Sequence, residues 1–113
     1  MDEMKHYQIH ITRQAEEQMR EIARYIAVEL QNPDAAEGLL DALGESMQSL
    51  CVFPAKLPLV LEEPWRSEGI HRMSVKNFLF YFWIDEENER VQITGVVYEK
   101  RNQKKFLKKM QID

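Results

Sequence analysis

Phe78-Leu79-Phe80-Tyr81-Phe82-Trp83-Ile84 is the stretch whose reading decides the fold. Its seven apolar residues fall far short of the roughly 20 that a membrane-spanning helix needs. They read instead as a buried strand, and apolar side chains on both of its faces place it at the centre of a sheet. On either side lie two further strand candidates, Ile70–Val75 and Arg90–Tyr98. Asp85-Glu86-Glu87-Asn88-Glu89 supplies a polar turn into the last of them.

Working outward to the N-terminus, Tyr7-Gln8-Ile9-His10-Ile11-Thr12 alternates apolar and polar, the period of a half-buried strand. Thr12 suits a helix N-cap, and Ala15, Met19, Ile22, Ile26 and Leu30 then form one apolar stripe. The spacing predicts a helix to about Gln31. Asn32-Pro33 is a second N-cap followed by proline at the first helical position, with Asp34 and Glu37 opposing the helix dipole. A second stripe, Ala36, Leu39, Leu40, Leu43, Met47 and Leu50, ends before Pro54. Gly38 and Gly44 weaken that helix and are expected to let the two helices approach closely. So short a link makes the helices antiparallel neighbours.

Between Val52 and Glu68 the periodicity is lost among Pro54, Pro58 and Pro64, a connection long enough to suggest function. The order strand, helix, helix, three strands is an α+β plan, β-α-α-β-β-β. It predicts a small, mainly antiparallel sheet packed on one face by a helical hairpin, with the opposite face partly open. At 113 residues, 1–113 is expected to be a single domain.

Hydrophobic and charged fractions of 44% and 30% are those of an ordinary soluble protein. A lone Cys51 allows no intrachain disulfide and suits a reducing cytoplasm, and the N-terminus has no signal-peptide core. The net charge of −4 argues against non-specific coating of nucleic acid. Its distribution is uneven. Residues 1–51 carry four basic and ten acidic side chains, whereas Glu99 to Lys109 holds six basic residues against one acid. Lys100, Lys104 and Lys105 in that segment would attract a polyanion or an acidic partner. The same lysines also read as a solvated helix face.

Familiar catalytic signatures are missing. The glycines are scattered, so there is no phosphate loop, and His6, His10 and His71 have no metal-binding spacing with Cys51. Neither a metal nor a cofactor is expected. What stands out is Arg72 inside a strand, Tyr81 in the next, Tyr98 closing the last, and Arg101 after it. Arginine offers phosphate a planar fork at any working pH, and tyrosine stacks on bases or hydrogen-bonds phosphate. The plainer account pairs Arg72 with a surface carboxylate and places Tyr81 in the core.

Read in order, Tyr25-Ile26, Asn32-Pro33, Ala35-Ala36, Leu50, Phe53-Pro54 and Gly69-Ile70-His71-Arg72-Met73-Ser74-Val75-Lys76-Asn77-Phe78 resemble the RelE/ParE toxin superfamily of type II toxin–antitoxin systems. The resemblance continues through Phe80-Tyr81, Ile84-Asp85, Val91-Gln92-Ile93 and Val97-Tyr98-Glu99-Lys100-Arg101-Asn102. It covers Tyr7 to about Leu107, and the ordered series carries it rather than any one motif. Tyr98 and Asn102 occupy positions that are frequently histidine and aspartate in relatives.

Membership implies a cytoplasmic growth inhibitor of the plasmid-stabilisation type, bound by a cognate antitoxin in a hetero-oligomer, with no membrane role. The ParE-like branch, which poisons DNA gyrase, is the closer in its helical hairpin and in the ending Tyr98 to Asn102. The RelE-like branch cuts messenger RNA in the ribosome. It would use Arg72 and Arg101 on the phosphate, Tyr98 as a stacking or proton-handling group, and Glu63 or Lys56 as base or cation. A non-toxic binding module of the same fold is the third alternative.

Overall fold

The computed structural model describes residues 5–98. Its spine is strand β3 (Phe78–Asp85). Phe78, Phe80, Phe82 and Ile84 point to one side of it, while Leu79, Tyr81 and Trp83 point to the other. Along one edge β3 pairs antiparallel with β2 (His71–Val75), from His71 opposite Phe82 to Val75 opposite Phe78. Along the other it pairs antiparallel with β4 (Arg90–Tyr98) through the turn at 86–89. In that turn the Asp85 carboxylate accepts from the Asn88 backbone N–H at 3.2 Å and its amide at 3.0 Å. Strand β1 (Gln8–Ile11) adds in parallel beyond β4, giving the order β1-β4-β3-β2. The α+β plan and the central position of the apolar strand both hold.

A bulge in β4 allows this sheet to be apolar twice over. Tyr81 lies opposite Gly95 but Phe82 lies opposite Ile93, so Thr94 is an extra residue in the ladder. One inserted residue reverses the side-chain alternation beyond it. Val91 and Ile93 face the helices before the bulge, and Val96 does so after it, leaving Val97 on the far side. The inserted Thr94 is fully buried, and its hydroxyl donates to the Tyr81 carbonyl at 3.2 Å.

On the near side, helix α1 (Arg13–Arg24) and helix α2 (Pro33–Gln48) lay Ala15, Leu39, Leu43 and Met47 on Phe80, Phe82, Val91 and Ile93. Thr12 caps α1, accepting from the Ala15 N–H at 3.3 Å, and Asn32 caps α2, accepting from the Ala35 N–H at 3.1 Å. The first helix departs from expectation at its end. Tyr25–Glu29 winds as a π-helical turn, closed by the Leu30 N–H on the Tyr25 carbonyl at 3.2 Å. That wider turn takes Leu30 off the buried stripe, and it is 56% exposed beside Val28 at 60%. The glycines also differ from expectation. A methyl group at Gly38 or Gly44 would meet nothing within 4 Å, so neither mediates a close helix approach.

The far side of the sheet is less open than the pattern predicts. The connection after α2 folds back through a 3₁₀ turn at Pro54–Lys56 and a cis peptide at Glu63-Pro64. It then runs beside β2, with the Arg72 N–H on the Pro58 carbonyl and the Val60 N–H on the Ile70 carbonyl, both at 2.9 Å. Val60 and Ile70 thereby close over Leu79, Tyr81 and Val97, with Trp65 and Trp83 packed alongside. A segment without periodicity supplies a second layer.

Because the space beside Gly38 is empty, Gly38→Ala should gain helix propensity without a clash. The expected stabilisation is about 1 kcal/mol, raising the thermal midpoint by roughly 4 °C. Calorimetry of the two proteins checks this, and a fall in the midpoint would contradict the open geometry.

Candidate functional site

Strand alternation puts Arg72 on the far side of the sheet, in register with Tyr81 across the β2–β3 ladder. The back-folded connection lays Val60, Leu61 and Glu62 over the pair, held where Arg66 donates from Nη1 to the Val60 carbonyl at 3.1 Å. Together these five residues line a cleft of about 30 Å³, room for about one or two water molecules. Leu61 stands at its lip, 74% exposed.

The guanidinium in this cleft is under-used. Arg72 Nε is buried without a hydrogen-bond partner, and Arg72 makes no ion pair among the described residues. A buried donor left unmet is costly, so it calls for a water or an acceptor brought from outside. Burial pushes the Tyr81 hydroxyl up to about 12, the Glu62 charge adds to the rise, and Arg72 opposes it. Tyr81 therefore stays a neutral phenol at any working pH. The cleft can bind an acceptor, but its phenol cannot serve as a base near neutrality.

The other sequence candidates lie elsewhere. Tyr98 is half-exposed and packs its ring on Phe78, with centroids 5.6 Å apart. Phe78 belongs to the helix-side core, so Tyr98 and Arg72 sit on opposite faces. Lys56 is exposed at the end of the 3₁₀ turn. The Glu63 carboxylate accepts from the Ser67 N–H at 3.0 Å, and its hydrogen bonds to Ser67 hold it below the ordinary carboxylate range. That makes it a local turn anchor and a weak base. Arg101, Lys100, Lys104 and Lys105 lie outside the described residues. Arg72 is thus joined by Tyr81 and by Glu62, a residue that sequence reasoning did not single out. Glu62 sits in an aperiodic stretch, and its only signal was adjacency to Glu63.

A family model described as the ParE toxin of type II toxin–antitoxin systems, parDE, matches residues 9–103. No curated protein matches the sequence. Among solved structures, a chain of the chromosomal ParDE toxin–antitoxin system from P. aeruginosa is similar, with a TM-score of 0.68 at 18% identity. The alignment covers 83% of this chain and 97% of that one.

Tyr81 also gives the cleft a pH signature. Its folded pKa is about 12 against an ordinary 10, so its contribution to stability is intact below pH 10 and is lost as pH rises towards 12. Denaturant titrations from pH 9 to 12 should show stability falling in that window. In Tyr81→Phe the fall should be shallower; an unchanged slope would mean the phenol is not shielded.

Proposed function

The chain belongs to the ParE toxin family, and from that membership we propose that it arrests bacterial growth by poisoning DNA gyrase. It acts in the cytoplasm as one domain, restrained in a hetero-oligomer by a cognate antitoxin. The observation that carries this reading is the span of the family match, residues 9–103, which takes in both helices and nearly the whole sheet.

The chemistry of the cleft supports a binder over a nuclease. Cutting RNA at a ribose 2′-hydroxyl needs a base, an acid for the departing oxygen and cations for the developing charge. Arg72 could supply a cation, but its neighbours are a locked phenol and Glu62, while Glu63 is engaged with Ser67 and Tyr98 faces the other way. Poisoning by binding needs no proton transfer. Arg72 then acts as a binding cation, and Lys100, Arg101, Lys104 and Lys105 supply positive charge towards the gyrase-bound DNA.

The buried Nε of Arg72, without a hydrogen-bond partner among the described residues, favours one second reading, the ribosome-dependent messenger RNA endoribonuclease, in which the guanidinium meets the scissile phosphate.

Incubation with gyrase, ATP and supercoiled plasmid should accumulate cleaved plasmid. Arg72→Ala, folded by circular dichroism, should need about tenfold more protein for the same cleavage. Intact plasmid together with messenger RNA cut in a translating extract would select the second reading. Growth without arrest on induction would exclude both in favour of a non-toxic binding module.

A further inference from the structure

Arg72 and Glu62 share one cleft without pairing. Arg72 is held in the β2–β3 ladder opposite Tyr81, and its backbone N–H donates to the Pro58 carbonyl at 2.9 Å. Glu62 is held from the other side, its backbone carbonyl accepting from the Arg66 N–H at 2.9 Å. Both side chains are half-buried where Val60, Leu61 and Tyr81 complete the lining, and neither forms an ion pair among the described residues. Their charges nevertheless converge on one group. After its own burial, the influences on the Tyr81 hydroxyl are the Glu62 charge, which raises its pKa, and the Arg72 charge, which lowers it.

Two opposite signs in so small a space narrow what the cleft can take. The buried Nε–H of Arg72 has no acceptor, and alone it would suit an anion. Glu62 brings a carboxylate that only accepts, so an incoming anion meets repulsion and an incoming cation meets the guanidinium. A neutral group with one acceptor and one donor side by side satisfies both walls at once. Size narrows the choice further. The cleft holds about 30 Å³, room for about one or two water-sized atoms, which matches the oxygen and nitrogen at the tip of a primary amide. A backbone peptide group carries chain on both sides and fits such a space poorly. Leu61, exposed at the lip, offers apolar contact to the segment that bears the amide.

We propose that this cleft captures the side-chain carboxamide of an asparagine or glutamine from a partner protein. The amide oxygen accepts from Arg72 Nε, and the amide nitrogen donates to the Glu62 carboxylate. The inference deepens the gyrase reading and rests on it for the source of the amide, which is the gyrase protein rather than its bound DNA. A phosphate oxygen would satisfy Arg72 and be opposed by Glu62.

The probes are three peptides that differ in one side chain: acetyl-Leu-Gln-Leu, its isosteric carboxylate acetyl-Leu-Glu-Leu, and acetyl-Leu-Lys-Leu. All are capped as N-methylamides, so that the glutamine supplies the sole primary amide. Each is titrated into the ¹⁵N-labelled full chain with the Arg72 Nε–H resonance as reporter. The glutamine peptide should shift that resonance, and the other two should bind about tenfold more weakly or worse. Glu62→Gln, folded by circular dichroism, keeps the shape of the wall and removes its charge, so the glutamate peptide should then bind at least as well as the glutamine one. Equal binding of the glutamine and glutamate peptides, an unreversed preference in Glu62→Gln, or no shift at Arg72 with any peptide would each overturn the proposal. The last result would leave a cleft for ordered water alone. Intact plasmid in the gyrase assay would remove gyrase as the source of the amide and leave the peptide preference standing. Peptides bound without preference would overturn the amide and leave gyrase cleavage untouched.

Discussion

The structure depends on one constraint: β3 is apolar on both faces and must be covered twice. Phe80 and Phe82 are fully buried on the helix side, and Leu79 and Tyr81 are buried on the other. Each large side chain removed from water contributes on the order of 1.5–3 kcal/mol, so exposing either face would forfeit several times that. One layer comes from a capped, periodic helical hairpin. The second comes from an aperiodic, proline-bearing connection that the sheet recruits through backbone hydrogen bonds at Pro58 and Val60. The candidate cleft follows from this arrangement, because Val60, Leu61 and Glu62 reach Arg72 only where the connection is pulled onto the sheet.

The bulge at Thr94 reconciles β4 with that demand. Were the same sequence to run on from Ile93 in regular alternation, Val96 and Val97 would exchange faces, and Tyr98 would move from the helix side to the side of Arg72. A single bulge therefore separates two side chains that the RelE-like reading would have used together.

Much of this architecture was legible from residue order. Thr12 and Asn32-Pro33 announced the helix starts through chemistry confined to one turn, and the unbroken apolar run announced the central strand. The features that escaped were those with no local period. The π-turn at Tyr25–Glu29 departs from the helical repeat that stripe reading assumes, so Leu30 was placed inside when it lies outside. The covering of the far face by Val60 and Ile70 is a tertiary event. Gly38 and Gly44 invited a packing explanation that only the absence of neighbouring atoms could remove. For the candidate site, Arg72 and Tyr81 stood out by residue type, yet the sequence held no sign that Tyr98 would be turned away or that Glu62 would be turned in.

The parallel pairing of β1 with β4 carries a consequence for biosynthesis. His10 meets Gln92 across 82 positions of chain, so the first strand made waits for the last to emerge before its edge is satisfied. Helices can form early during translation, but sheet closure is necessarily late, and long-range pairing of this kind is slow. A nascent chain halted before Arg90 cannot assemble the four-stranded layer. The four-stranded layer thus comes into being only once β4 has left the ribosome and met both of its neighbours.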